Sequence, residues 1–315
     1  MLAQALALGA VAPTAVRSMT LVAGGNSRET WIAVVTIAGA ERQVVFRCDP
    51  DHWIRPESMC NEINGLRMAE RADIPAPRVL FSSSEIDIGR PYVVTTFVEG
   101  TAIARRIMKE PGYAPAREDF ARQCGEILAK LHNSLPLATG LVPYDPLEEL
   151  ERYMADSEIA SPVLQGAIRW LAMNRPPALS RLSPVHRDFR IGNLMMRETG
   201  VAAVLDWETC QLGEAEEDLA WLCSRSWRYG SKLPVGGLGT MKDLVDAYER
   251  CGERPIDMVR FHWWSVYAET RWGLAGTVRQ RPGSAGDMME QAAVARRACR
   301  QEHNVLLELK RFVAT

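Results

Sequence analysis

The chain has 315 residues, enough for two domains or one bilobed unit, and its 47% hydrophobic and 24% charged residues exclude disorder, collagen and coiled coil. Its 37 Lys and Arg against 39 Asp and Glu leave a formal net charge of −2, which lacks the basic footprint of a nucleic-acid binder. The seven cysteines are scattered and never in C-x-x-C spacing, and no apolar run reaches the ~18 residues of a membrane span, so free thiols and a cytoplasmic location are expected.

The apolar start, MLAQALALGAVAPTA, lacks the basic n-region of a signal peptide, and residues 2 to 9 can form a short helix that Pro13 ends. A strand end at Leu21 runs into the glycine-bearing turn Gly24-Gly25-Asn26-Ser27. The β-branched and aromatic runs Trp31 to Ile37 and Gln43 to Arg47, joined across Gly39-Ala40-Glu41, then read as a hairpin. From Pro56 to Glu70, Met59, Ile63, Leu66 and Ala69 recur at helical spacing until Pro75 and Pro77 forbid continuation. Two more strands are predicted over Arg78 to Phe81 and Tyr92 to Phe97.

After Val98-Glu99-Gly100 helical patterns take over, in 120–132, 147–154, 162–173, 241–250, 259–270 and 286–309. One β-type insert interrupts them, Ser183 to Asp206, with runs Leu194 to Met196 and Val201 to Leu205 around a turn ending in Gly200. The expected class is α+β: an antiparallel β lobe with one helix over residues 1–98, and a larger helical lobe over 99–315.

The insert reads His186-Arg187-Asp188-Phe189-Arg190-Ile191-Gly192-Asn193, with Asp206-Trp207-Glu208 beginning thirteen positions after Asn193. An Asp followed five residues later by an Asn, then an Asp at the end of the next strand, is the spacing that phosphoryl transfer from Mg-ATP needs. The first carboxylate accepts the hydroxyl proton, while an Asn carbonyl oxygen and the second carboxylate offer hard ligands to magnesium. A polar turn and a strand end would not need a second Asp and an Asn at these offsets.

From Val185 to Leu222 the chain resembles the aminoglycoside phosphotransferase and choline kinase-like family, small-molecule kinases of the protein-kinase-like fold, and most nearly the branch related to kinase domains found beside acyl-CoA dehydrogenases. The resemblance implies a bilobed kinase-like fold, ATP and Mg2+ as cofactors, Asp188 as catalytic base, Asn193 and Asp206 as metal ligands, His186 as a support of the loop, and Asp218 as its buried brace. Arg187 departs from the small residue usual in the family and makes the loop look like the H-R-D of protein kinases. Against a protein kinase, only twelve positions lead from Asp206 to Asp218, too few for a long activation loop, and Arg190 stands where many protein kinases carry Lys. A small-molecule alcohol is the expected acceptor.

No lysine precedes Lys109, so the usual phosphate-binding lysine of the third strand cannot exist here. Arg47 sits where the family branch carries an arginine, and its planar fork suits phosphate. Glu62 resembles the family's helix carboxylate that holds this cation, with Glu57 and Glu70 as rivals. Gly25, Asn26 and Ser27 match the family's glycine loop, where backbone N–H groups approach phosphates. Thr96, Phe97 and Val98, at the junction of the lobes, are expected by fold analogy to offer backbone hydrogen bonds to adenine.

For the acceptor pocket, Trp227, Arg228 and Tyr229 are the better candidates of two aromatic clusters; Trp221 and the group Trp263, Trp264, Tyr267 and Trp272 read first as helix core. Residues 251 to 315 are rich in arginine, among them Arg254, Arg260 and Arg271, which suits an anionic or acyl-CoA type acceptor better than a polycationic aminoglycoside. A hydroxylated metabolite such as a hydroxyacyl thioester is therefore the first reading and an antibiotic the second. A pseudokinase that binds nucleotide without turnover is the rival from another class.

Overall fold

The computed structural model of the chain describes residues 16–22, 28–37, 39–50, 54–84, 89–134, 140–157, 161–252, 254–275 and 288–313, without the side chains of 37, 288–298, 312 and 313. The short helix expected over 2–9 and the loop residues Gly25, Asn26 and Ser27 lie outside them.

The first part is a five-stranded antiparallel sheet in the order β1-β2-β3-β5-β4, made of β1 (Val16–Leu21), β2 (Glu29–Ile37), β3 (Ala40–Cys48), β4 (Val79–Ser82) and β5 (Tyr92–Thr96). The hairpin between β2 and β3 turns at Gly39, whose φ of 80° favours glycine, and pairs Ile37 with Ala40 through to Glu29 with Cys48. Strand alternation then separates two jobs. Val44, Phe46 and Cys48 join Ala33, Val35, Tyr92 and Val94 in a core on one face, while Arg47 is left on the other.

Onto that other face packs α1 (Pro56–Arg71), with proline in its first turn and Met59, Glu62, Ile63, Leu66 and Ala69 buried. Its interior Gly65 has a packing reason, because a Cβ there would meet the Cβ of Trp207 at 2.9 Å. That close approach brings α1 against the turn that follows Asp206.

The larger lobe contains α2 (Ala104–Lys109), α3 (Ala114–Glu118), α4 (Phe120–Asn133), α5 (Pro146–Ala155), α6 (Pro162–Met173), α7 (Glu216–Cys223), α8 (Met241–Gly252), α9 (Met258–Ala275) and α10 (Met288–Val313). Between α6 and α7 lie two antiparallel pairs, β6 (Ser183–Val185) with β9 (Gln211–Gly213), and β7 (Leu194–Arg197) with β8 (Gly200–Val204). The sequence reading missed β9 and the short helices α2 and α3, which carry too few residues for a period to show. Among the described residues no helix is long and apolar enough to cross a membrane. The fold is bilobed and kinase-like, a small antiparallel sheet with one helix over a mainly helical lobe.

Candidate active site

The loop after β6 is fixed from beneath by one carboxylate. Asp218, fully buried in the first turn of α7, accepts the backbone N–H of His186 at Oδ2 and that of Arg187 at Oδ1, both at 2.7 Å, and takes His132 Nε2 at 3.2 Å. Burial pushes its carboxyl up, but the bond from His132, the nearby imidazoles and the His186 N–H outweigh this and hold it below the usual carboxylate range. His186 is oriented twice: Nε2 donates to the Leu205 carbonyl at 2.9 Å, and Nδ1 accepts the Asp188 N–H at 3.2 Å. The ring therefore ties the Asp188 loop to the strand end before Asp206.

The hairpin of β7 and β8 brings Asn193 and Asp206 together, because Leu205 N–H donates to the Asn193 carbonyl at 2.8 Å. Asn193 Nδ2 donates to Asp188 Oδ2 at 2.6 Å and to the Asp188 carbonyl at 2.9 Å. Asp206 adopts left-handed backbone, φ 65°, a conformation Asp tolerates better than most residues. Two further donors reach Asp188 Oδ1, Arg190 Nε and the indole Nε1 of Trp221, each at 2.9 Å.

Above this hairpin, Arg47 donates from Nη1 to Glu62 Oε1 and from Nη2 to Asp206 Oδ1, the latter at 3.1 Å. Burial works against the guanidinium charge, but Glu62 and Asp206 more than offset it. Asp206 is likewise pushed up by burial yet held below the usual range by Arg47. The Glu62 side chain has a second partner that the sequence reading missed. Arg28, the residue after the glycine loop, is fully buried at its side chain and donates to Glu62 Oε2 (2.5 Å), Asp49 (2.8 Å), Glu208 (2.8 Å) and Ser58 (2.9 Å). The structure thus places Glu62, not its rivals Glu57 and Glu70, between two arginines.

Several expectations are corrected in position. Arg187, whose role the sequence left open, has its side chain buried against Glu149, Glu217 (3.1 Å) and Gln211, with its Cζ 3.6 Å from the Tyr144 ring centroid. Thr96 spends its N–H on the Arg78 carbonyl (2.9 Å), and its Oγ1 accepts the Arg78 N–H (3.0 Å), so its amide N–H is already used by the residue before β4. Phe97 and Thr96 border a cavity of about 730 Å³ with Val44 and Glu99.

Trp227 and Tyr229 do stand beside Asp188: the Arg190 guanidinium lies 4.6 Å from the Trp227 ring centroid and bonds Tyr229. Arg228 does not, since it turns onto the Cys223 carbonyl (2.6 Å) and lines a separate cavity of about 140 Å³. Of the C-terminal arginines that suggested an anionic acceptor, Arg254, Arg260 and Arg271 face Glu216, Glu214 and Glu149 within the lobe.

A strand cation bonded to a helix carboxylate, above a hairpin joining Asp188, Asn193 and Asp206, defines a phosphotransferase of the kinase-like type. The chain belongs to the phosphotransferase enzyme family (APH), whose description matches residues 18–251. It is 28% identical over 199 residues to acyl-CoA dehydrogenase family member 10 of Mus musculus and 29% identical over 223 residues to family member 11 of Homo sapiens. These matches cover 58% and 64% of this chain but only 18% and 28% of those relatives, so the chain spans under a third of their length.

Among solved structures, a protein from Ralstonia eutropha JMP134 assigned as an aminoglycoside phosphotransferase superposes with a TM-score of 0.72 at 23% identity, covering 96% of this chain and 94% of that one. Macrolide 2′-phosphotransferase MphH from Brachybacterium faecium gives 0.61 at 18% identity, covering 94% and 97%. The amicoumacin kinase hAmiN, in complex with AMP-PNP, Ca2+ and Ami, gives 0.63 at 13% identity, covering 90% and 88%. At these identities the likeness is one of fold.

Proposed function

We propose that this chain transfers the γ-phosphoryl group of ATP to a hydroxyl of a small molecule. The observation that carries the reading is the linked trio of Asp188, Asn193 and Asp206, joined by the Asn193 side chain and by the Leu205 to Asn193 backbone bond. Asp188 orients the acceptor hydroxyl and takes its proton. Arg47, kept charged by Glu62 and Asp206, faces the α and β phosphates; Gly25, Asn26 and Ser27 cover them, and the backbone of Phe97 and Val98 receives adenine.

The residues suit magnesium. Asn193 commits its amide nitrogen to Asp188, which leaves its carbonyl oxygen available, and Asp206 has Oδ2 beyond the oxygen used by Arg47. Two hard oxygens from one hairpin match an ion that keeps water and phosphate oxygens as its other ligands, and when bound it would neutralise phosphate charge. The chain's own residues do the rest: Asp218 and His186 fix the loop, and the residues lining the cleft orient the reactants.

The first acceptor reading remains a hydroxylated metabolite of the hydroxyacyl type. It rests on the relatives named for acyl-CoA dehydrogenases more than on charge, because three of the arginines that favoured it, Arg254, Arg260 and Arg271, face internal carboxylates. An antibiotic is the second reading, favoured by the solved structures of aminoglycoside, macrolide and amicoumacin kinases. The seven cysteines are all free, which supports a reducing, cytoplasmic setting. The test is Mg-ATP-dependent ADP release across hydroxyacyl thioesters, sugars, choline-type alcohols, macrolides and aminoglycosides, with Asp188→Asn as control. Release with one acceptor class that vanishes in the variant is expected; bound Mg-ATP with silence across the panel favours the pseudokinase, and no nucleotide binding refutes the reading.

A further inference from the structure

An ionised carboxylate offers about four lone-pair sites, two on each oxygen. On Asp188, Oδ1 already accepts two donors, Arg190 Nε and Trp221 Nε1, each at 2.9 Å. Oδ2 accepts one, Asn193 Nδ2 at 2.6 Å. The site left over is on Oδ2, next to Asn193, and the side chain keeps 20% exposure through which a ligand can reach it.

We infer that Trp221 is a positioning residue: with Arg190 it closes Oδ1 and thereby makes Oδ2 the oxygen that receives the acceptor's proton. This deepens the phosphotransfer reading and rests on it. The acceptor oxygen forms a bond to the γ-phosphorus as its O–H proton passes to Oδ2. The bond from that phosphorus to the bridging oxygen breaks, its electron pair leaves with ADP, and the proton later goes from Asp188 to water. An acceptor approaching Oδ1 would meet the indole and the guanidinium instead.

The indole is itself held for this task. Trp221 lies one helical turn after Asp218 on α7, so the same helix fixes the loop backbone and the base carboxylate. The Arg271 guanidinium of α9 lies 4.7 Å from the Trp221 ring centroid, and its Nη1 donates to the Arg187 carbonyl at 2.7 Å. Trp227 and Trp272 close the other sides, with ring centroids 5.6 and 6.3 Å away. A phenylalanine would satisfy that packing. Unlike phenylalanine, the indole also supplies an N–H to the carboxylate.

Two measurements on the full chain decide the matter. The first is the indole N–H resonance of Trp221, identified as the one absent from Trp221→Phe, followed into Asp188→Ala. A shift with faster solvent exchange supports the bond, and an unmoved resonance overturns the inference without reference to any acceptor. The second is turnover with the acceptor found in the panel. Trp221→Phe should keep its Mg-ATP affinity and acceptor KM within about twofold while kcat falls by about 10²-fold, the scale of a misplaced catalytic group. Trp221→His, which retains an N–H, should recover part of that loss. An unchanged kcat in Trp221→Phe overturns the positioning role even where the indole responds, and wild-type silence with nucleotide bound sinks the phosphotransfer reading and the role of Oδ2 with it.

Discussion

Replacing Asp218 with Asn tests how the catalytic loop is held. The carboxylate has no solvent exposure and accepts two backbone N–H groups at 2.7 Å, one on each oxygen, besides His132. An amide can accept at one oxygen only, and its NH2 would confront the second backbone N–H. Hydrogen bonds to a charged group contribute about 1.5–3 kcal/mol each, and leaving a buried donor unpaired adds its desolvation, so the cost should be about 3–5 kcal/mol. At roughly 2–4 °C per kcal/mol, that lowers Tm by roughly 10 °C, and a loop no longer held should lose about 10²-fold in kcat.

The pH dependence carries its own sign. The Asp218 carboxyl titrates below its ordinary value of about 3.9, so between the two values the unfolded chain binds the proton and the folded one does not. Its contribution is present above the unfolded value and lost as pH falls through the folded one. Asp218→Asn should therefore show a shallower loss of stability in acid. Denaturant midpoints at pH 7 and at about pH 3, below the unfolded value, measure both effects. A variant within about 0.5 kcal/mol of wild type, with the same acid slope, would refute the argument.

Arg187→Met leaves Glu149 and Glu217 buried without their cation, which should cost about 3–5 kcal/mol, and burial already pushes the Glu217 carboxyl up to about 7 despite Arg187 beside it. Nucleotide affinity of the folded variant should be unchanged and adding Glu217→Gln should restore part of the stability; a large loss of Mg-ATP affinity by titration calorimetry would count against the buried role. Gly65→Ala ordinarily favours a helix by ~1 kcal/mol, but here the Cβ contact with Trp207 at 2.9 Å should make it destabilising by about 1–3 kcal/mol in denaturant titration. Arg28→Gln removes the cation shared by Asp49, Glu62 and Glu208, and should weaken both stability and Mg-ATP binding; unaltered nucleotide affinity would separate Arg28 from the phosphate site.

What the sequence disclosed was whatever repeats over a short span. The β2 and β3 hairpin, α1 with its flanking prolines, and the Asp188, Asn193, Asp206 spacing all lie within runs of twenty residues or so, where period and offset are readable. Arg28 could not be found that way, because its partner Glu208 is 180 positions distant and only folding joins them. Trp221 was read as core, which it is by packing, since periodicity reports the ring and not where its N–H points. The adjacent Trp227 and Arg228 looked equivalent in sequence, yet one stands over Arg190 and the other turns to Cys223. A signal existed for Arg28: in a lobe without lysine, an arginine directly after the glycine loop has strong reason to be buried with carboxylates.

On the proposed reading, an arginine in place of the usual lysine would also change how nucleotide binds. A lysine offers one nitrogen, but the Arg47 fork reaches Glu62 with Nη1 and Asp206 with Nη2 at once. Asp206 is thereby neutralised by the protein's own cation, and Arg47 in turn has little charge to spare for phosphate while that contact lasts. On that reading, a divalent cation held at Asp206 Oδ2 would draw charge from that carboxylate and weaken its bond to Arg47, leaving Nη2 freer to turn toward phosphate, so the two bindings would favour each other. ATP should consequently bind more weakly without magnesium by more than charge screening explains. Titration calorimetry of ATP with and without magnesium, repeated at matched ionic strength with Asp206→Asn, measures the coupling. Equal affinity with and without the metal in the wild type would refute it, as would an undiminished metal dependence in the variant.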